Sequence, residues 1–243
     1  LAFPSANVSD RIEKTFTSVN FNMMIMVIYA LITIAIFGMW YYARYEGNFL
    51  PSPKKTFNPM MLVAIVILVP GTQFAANFIA NLTGYIRPDW LQQYNELFET
   101  SGITDTTFVT VLYSVILAPI CEELIFRGVT MRCARKALPF ALANLMQAAL
   151  FGLFHLNWIQ GIYAFALGIV LGYVCECGGS IYYSIGLHLL FNLWGTLSGF
   201  FPDPGNSAVV FVIVIAVTIV SLVVGFVLFN KGRRKLPINS TRI

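Results

Sequence analysis

Apolar positions in this chain come in runs too long and too unbroken for a soluble core. Seven stretches, at about 21–43, 59–83, 105–131, 139–157, 159–175, 181–200 and 207–230, are predominantly apolar. The hydrocarbon core of a bilayer is about 30 Å thick, and a helix needs about 20 apolar residues to cross it. A helix pairs its own backbone polar groups, which lipid cannot do for it. The pattern predicts an all-α fold, a polytopic transmembrane helical bundle of about seven spans. Without an internal repeat or a long linker, residues 1–243 read as a single integral membrane domain.

One segment follows a different pattern. From Asp89 to Thr100, Trp90, Leu91, Tyr94, Leu97 and Phe98 fall at helical spacing, with Gln92, Gln93 and Glu96 opposite. That predicts a short amphipathic helix lying at the membrane interface. Residues 9–19 form a second candidate, because Asp10 and Glu13 are placed like a capping box. Within the second span Pro70-Gly71 predicts a kink, since proline removes a backbone donor. Gly168 and Gly172 share one face of the fifth span and predict close helix packing.

Composition strengthens the membrane reading. The chain is 58% hydrophobic and 11% charged, against about 25% charged for a soluble domain, and its mean hydropathy is +0.74. Residues 1–19 do not show a charged segment followed by an apolar one, so no cleavable signal peptide is expected. The four cysteines, Cys121, Cys133, Cys175 and Cys177, lack zinc-site spacing and read as unpaired thiols. The charges also orient the bundle. Arg44, Lys54, Lys55, Arg132, Arg135, Lys136, Lys231, Arg233, Arg234, Lys235 and Arg242 fall at one end, against Arg11, Lys14 and Arg87 at the other. By the positive-inside rule the N-terminus is expected outside and the C-terminus in the cytoplasm. The same bias accounts for the net charge of +4 without a nucleic-acid partner.

Charge and imidazole inside an apolar span are the candidate chemistry. An acidic or basic side chain at a span's centre costs about 2.5–3.5 kcal/mol to insert, so several in one chain need a reason. In Cys121-Glu122-Glu123-Leu124-Ile125-Phe126-Arg127, Glu123 and Arg127 are four apart and predict an ion pair. Glu122 is turned about 100° away, free to point into a cavity. In Phe151-Gly152-Leu153-Phe154-His155, Phe151 and His155 are four apart. In His188-Leu189-Leu190-Phe191-Asn192 an imidazole and a carboxamide share a face. Read singly, each cluster serves equally as a buried network that staples helices. Both histidines of the chain fall in these clusters, and that favours a site.

Glu122 and His155 can hold and deprotonate a water, and His188 and Asn192 can donate to a carbonyl oxygen as it becomes an oxyanion. No serine or cysteine nucleophile with an adjacent base is evident. The zinc motif H-E-x-x-H is missing too, although a glutamate and two histidines could still bind a metal if the fold joined them. Direct hydrolysis without a cofactor is the preferred reading.

The motifs Glu-Glu-x-x-x-Arg at 122–127, Phe-x-x-x-His at 151–155 and His-x-x-x-Asn at 188–192 resemble, in order and spacing, those of the CPBP family. This family comprises the CAAX proteases and bacteriocin-processing enzymes, also called Abi. The resemblance covers roughly 105–200, the expected catalytic core. It implies a glutamic intramembrane endopeptidase acting on a membrane-associated peptide or protein. Glu122 would be catalytic, His155 would share the water, His188 and Asn192 would form the oxyanion site, and Glu123 and Arg127 would support them. The cavity is expected to open toward the membrane–cytosol boundary. Counted from the basic ends, Glu122 lies about 15–20 Å deep, His188 about 12 Å and His155 about 20–24 Å; helix tilt or a later start to the fourth span has to bring them level. The alternatives are a non-catalytic immunity or scaffold protein that binds through the same pocket, and a proton-coupled transporter.

Overall fold

A computed structural model describes residues 19–46, 57–101, 107–198 and 207–233. The candidate interfacial helix at 9–19 and several of the counted cations lie outside these residues or at their edge. The described residues form eight helices: α1 Val19–Tyr41, α2 Pro59–Ile86, α3 Pro88–Ser101, α4 Phe108–Ala134, α5 Phe140–Phe154, α6 Trp158–Gly178, α7 Ile181–Ser198 and α8 Ala208–Arg233. Local chemistry sets several ends. Asn58 caps α2, its side chain accepting from Met60 N at 2.9 Å with Pro59 in the first turn. Thr107 and Asn157 cap α4 and α6 in the same way. Gly179, at φ 68°, closes α6 in the left-handed conformation.

Seven of the eight helices match the seven apolar stretches, and α3 is the amphipathic one. Five are long and apolar enough to cross a membrane: α1, α2, α4, α6 and α8. The other two fall short for physical reasons. α5 has 15 residues, about 22 Å of helix. α7 has 18 and gives several of them to Ser184, His188, Asn192 and Thr196.

The core lies between α2, α6, α7 and α8, where Met61, Leu68, Leu171, Tyr183, Leu187 and Phe229 are all fully buried. Glycines let the backbones approach. A side chain at Gly225 would collide with Leu68, and one at Gly172 with Asn144. Between α5 and α6, Gly168 lies against Ala148 and Phe151. Its carbonyl accepts from Gln147 Nε2 at 2.9 Å. Outward-facing Val209, Val212, Ile213, Val220 and Val223 on α8 form a lipid-compatible face.

The kink expected at Pro70 falls within a continuous helix. α2 runs as one helix through it. Gly71 N donates at 2.9 Å to Ser221 Oγ of α8, and that hydroxyl donates on to the Ile67 carbonyl. A side chain from a neighbouring helix thus stands in one rung of the hydrogen-bond ladder.

The ends of the helices that carry the basic residues are tied together. Asn58 N donates to the Tyr183 hydroxyl at 2.8 Å, and Asn58 Nδ2 to the Gly232 carbonyl at 3.0 Å. Arg132 donates to the Tyr41 hydroxyl at 2.9 Å, and Arg135 pairs with Glu176 at 2.9 Å. Tyr41, Leu124, Met131, Cys175 and Ile181 fill the interior there. All four cysteines are free thiols.

Candidate active site

α4 supplies the acids, and it is not a uniform α-helix. Leu112–Leu117 and Leu124–Met131 are π-helical, flanking the α-helical turn Ala118–Glu123. Pro119 accounts for an opening in the first of these stretches. Ala118 N reaches back five residues to the Tyr113 carbonyl, and Pro119 has no N–H to give. The Ser114 carbonyl between them turns to α7 and accepts from Asn192 Nδ2 at 2.8 Å. π-Helical turns recur where a helix has to aim groups at a site.

One turn on, Glu123 and Arg127 are completely buried and paired at 2.7 Å. Arg127 also donates to the Gly168 carbonyl at 3.2 Å and lies 4.5 Å from the centre of the Phe151 ring. His188 Nδ1 meets Glu123 Oε1 at 2.9 Å. Its other nitrogen, Nε2, stands 3.6 Å from Glu122 Oε2. The buried chain is therefore Arg127–Glu123–His188–Glu122, and Glu122 is its outermost member, with a side chain 16% exposed. The sequence reading has Glu122 sharing a water with His155. Its ionic contact is with His188, because α7 packs directly along this turn of α4.

His155 is the capping residue that ends α5. Its backbone N–H turns back to Gly152, three residues earlier. That leaves the Phe151 carbonyl to His155 Nδ1, at 2.9 Å. A carbonyl only accepts, so Nδ1 is the donor in this bond and Nε2 is left to the cavity side. Phe151 stands edge-on to both imidazoles, with centroids 5.0 Å from His155 and 5.8 Å from His188.

Glu122, His155, His188 and Asn192 all line one cavity of about 460 Å³. The unequal depths counted along the helices do not keep them apart. Gln73, Tyr113, Ser114, Gln160, Tyr163 and Thr196 complete much of its polar wall. Sequence reasoning missed these residues. Gln73 carried a usable signal, as an amide in the middle of an apolar span; Ser114 carried none. Among the described residues no three His, Cys, Asp or Glu side chains are grouped so as to hold a metal ion.

The cavity lies toward one end of the bundle. Its deepest lining residues, Gln73, Glu122, Leu167 and His188, lie near the middles of their helices. The others, including Asn77, Ala80, Gln160 and Ser198, run toward the ends beside α3, which contributes Tyr94. Toward the end that bears Arg132, Arg135, Lys231 and Arg233, packed side chains fill the space between α2, α7 and α8, Met61, Tyr183 and Phe229 among them.

Residues 104–194 match the family model for Rce1-like type II CAAX prenyl endopeptidases. This segment is Rce1-like, of the CPBP family. The match runs from three residues before Thr107 to two residues past Asn192, so it includes all three motifs. The Rce1-like segment and the five long apolar helices together make this a multi-pass membrane protein. No curated protein and no solved structure matches the chain.

Proposed function

We propose that the chain is an intramembrane endopeptidase that hydrolyses a peptide bond in a membrane-associated peptide or protein by activating water with Glu122 and His155. The observation that carries this reading is the meeting of Glu122, His155, His188 and Asn192, from α4, α7 and the end of α5, around one cavity. Glu122 takes a proton from the water as it attacks the carbonyl carbon. Nε2 of His155 accepts the water's other hydrogen bond and fixes its direction. The low local dielectric strengthens each of these interactions.

The oxyanion needs donors. Asn192 Nδ2 has two N–H bonds, one spent on the Ser114 carbonyl; the second serves the oxyanion. In this reading the His188 ring is doubly protonated. Nδ1–H is anchored on Glu123, and Nε2–H donates to the oxyanion. Arg127 holds Glu123 in place for that purpose. Among the described residues no Lys or Arg lines the cavity.

Glu122→Gln keeps the shape and removes the base. It is expected to lower cleavage by about 10²–10⁴-fold while the protein remains folded, with full activity overturning the role. EDTA and phenanthroline are expected to leave cleavage intact. Strong inhibition that zinc reverses would replace the direct mechanism with a metallopeptidase one.

A further inference from the structure

The direction in which the cavity opens, set against the charges at the two ends of the bundle, bears on which side of the membrane supplies the substrate. At one end of the described helices stand Arg44, Arg132, Arg135, Lys136, Lys231 and Arg233. At the other stands Arg87, bonded to Asp89 at 2.7 Å and therefore neutralised. Cations flanking spans are retained on the cytoplasmic side. The basic end is also the end filled by the core and tied by Asn58, Tyr183 and Gly232.

Every lining residue of the cavity lies between mid-bundle and the opposite end. The mouth there has the character of an interfacial rim. Trp90 of α3 stacks on Trp158 at the start of α6, with centroids 5.3 Å apart, and the Arg87 guanidinium lies 4.3 Å from the Trp90 ring centre. Indole rings favour the headgroup level of a bilayer. Tyr94, one helical turn beyond Trp90, reaches the cavity wall itself.

We infer that the cavity opens to the non-cytoplasmic face and takes its substrate there, as an extended polypeptide segment presented at the outer surface of the membrane beside α3. The choice of a peptide rests on the peptidase reading; the sidedness does not. The mouth is lined by uncharged hydrogen-bonding groups, Asn77, Gln160, Thr196 and Ser198, which suit peptide backbone and not a charged headgroup. The reaction upstream must then be an export or insertion step that delivers the segment across the bilayer before it is cut.

Native Cys133, exposed at the basic end, is a built-in reporter, and Ser198→Cys and Tyr85→Cys place reporters at the other end. Tyr85 is 85% exposed and outside the cavity, so its substitution leaves the packing undisturbed. Cells expressing the full chain are treated with a membrane-impermeant maleimide, before and after permeabilisation. The expected result is full labelling of positions 198 and 85 in intact cells, with Cys133 labelled only after permeabilisation. Labelling of Cys133 in intact cells, with positions 198 and 85 protected until permeabilisation, would overturn the proposal. Repeating the assay in a Glu122→Gln background reads sidedness independently of cleavage, so a failed peptidase assay and a failed orientation are told apart.

Discussion

Between α2 and α8 one inserted hydroxyl, Ser221, takes a hydrogen bond from Gly71 and gives one to Ile67, and the surroundings are apolar. Between α4 and α7 the polar groups form a chain from Arg127 through Glu123 and His188 to Glu122, whose last carboxylate faces a cavity. Both regions begin from a proline that deprives a helix of a donor. At Pro70 the neighbouring helix closes the gap. At Pro119 the neighbouring helix supplies Asn192 to the freed Ser114 carbonyl, yet the amide keeps a further N–H. The same defect serves packing in one place and leaves binding capacity in the other. Ordinary membrane packing closes its polar groups off, and a site leaves some of them open.

The hardest way to break this contrast is to cut the buried chain at its inner end. Arg127→Met removes the cation and leaves the Glu123 carboxylate, which is fully buried, without its ion-pair partner. Breaking a buried pair from one side costs about 3–5 kcal/mol, so the melting midpoint in detergent is expected to fall steeply and activity to go with it. An unchanged midpoint would mean the pair is not buried as described.

Asn192→Leu separates chemistry from packing. Losing an oxyanion donor costs about 2.7–4 kcal/mol in the transition state, hence roughly a 10²–10³-fold loss in kcat. The orphaned Ser114 carbonyl adds about 1–3 kcal/mol of instability. Retention of kcat with lowered stability would reduce Asn192 to a structural bridge, as Ser221 is.

Much of this was legible in the sequence. The helices follow from apolar runs, and the three motifs identify Glu122, His155, His188 and Asn192 because few polar residues survive inside such runs. Glu123 and Arg127, four apart, announce their pairing through local geometry alone. What stayed hidden depends on partners distant in sequence. Asn192 meets Ser114 across 78 residues, and Gly71 meets Ser221 across 150. Pro119 alone would free the Val115 carbonyl of a regular helix; that the Ser114 carbonyl is freed depends on π-helical turns that a 3.6-residue period does not reveal. The direction of the cavity was hidden for a similar reason. Depth counted along a helix says how far a residue lies from an end, not which end the surrounding helices have sealed.

Ser221→Ala is the milder counterpart on the scaffold side. It strands the Gly71 N–H and the Ile67 carbonyl, at about 1–3 kcal/mol, because alanine is too short to bridge them. The thermal midpoint is expected to drop while kcat per folded molecule stays the same, since Ser221 lies outside the cavity lining. A fall in kcat with an unchanged midpoint would show that the α2–α8 pair is not a separate scaffold.

The smallest expected effect uses the same chemistry in the opposite environment. Arg87 and Asp89 are paired at 2.7 Å, as Arg127 and Glu123 are, but about half of each side chain is exposed. The hydrogen bond from Arg87 holds the Asp89 carboxyl below its ordinary range. Such a group contributes stability above its unfolded-state pKa of about 3.9, and the contribution disappears as pH falls through the lower folded-state value. Water and salt screen an exposed pair, so Asp89→Asn is expected to leave the neutral-pH midpoint unchanged and to remove only a slight loss of stability between about pH 4 and 3. If Asp89→Asn were as damaging as Arg127→Met, burial would not be what separates the two pairs, and the contrast between the closed scaffold and the open site would lose its physical basis.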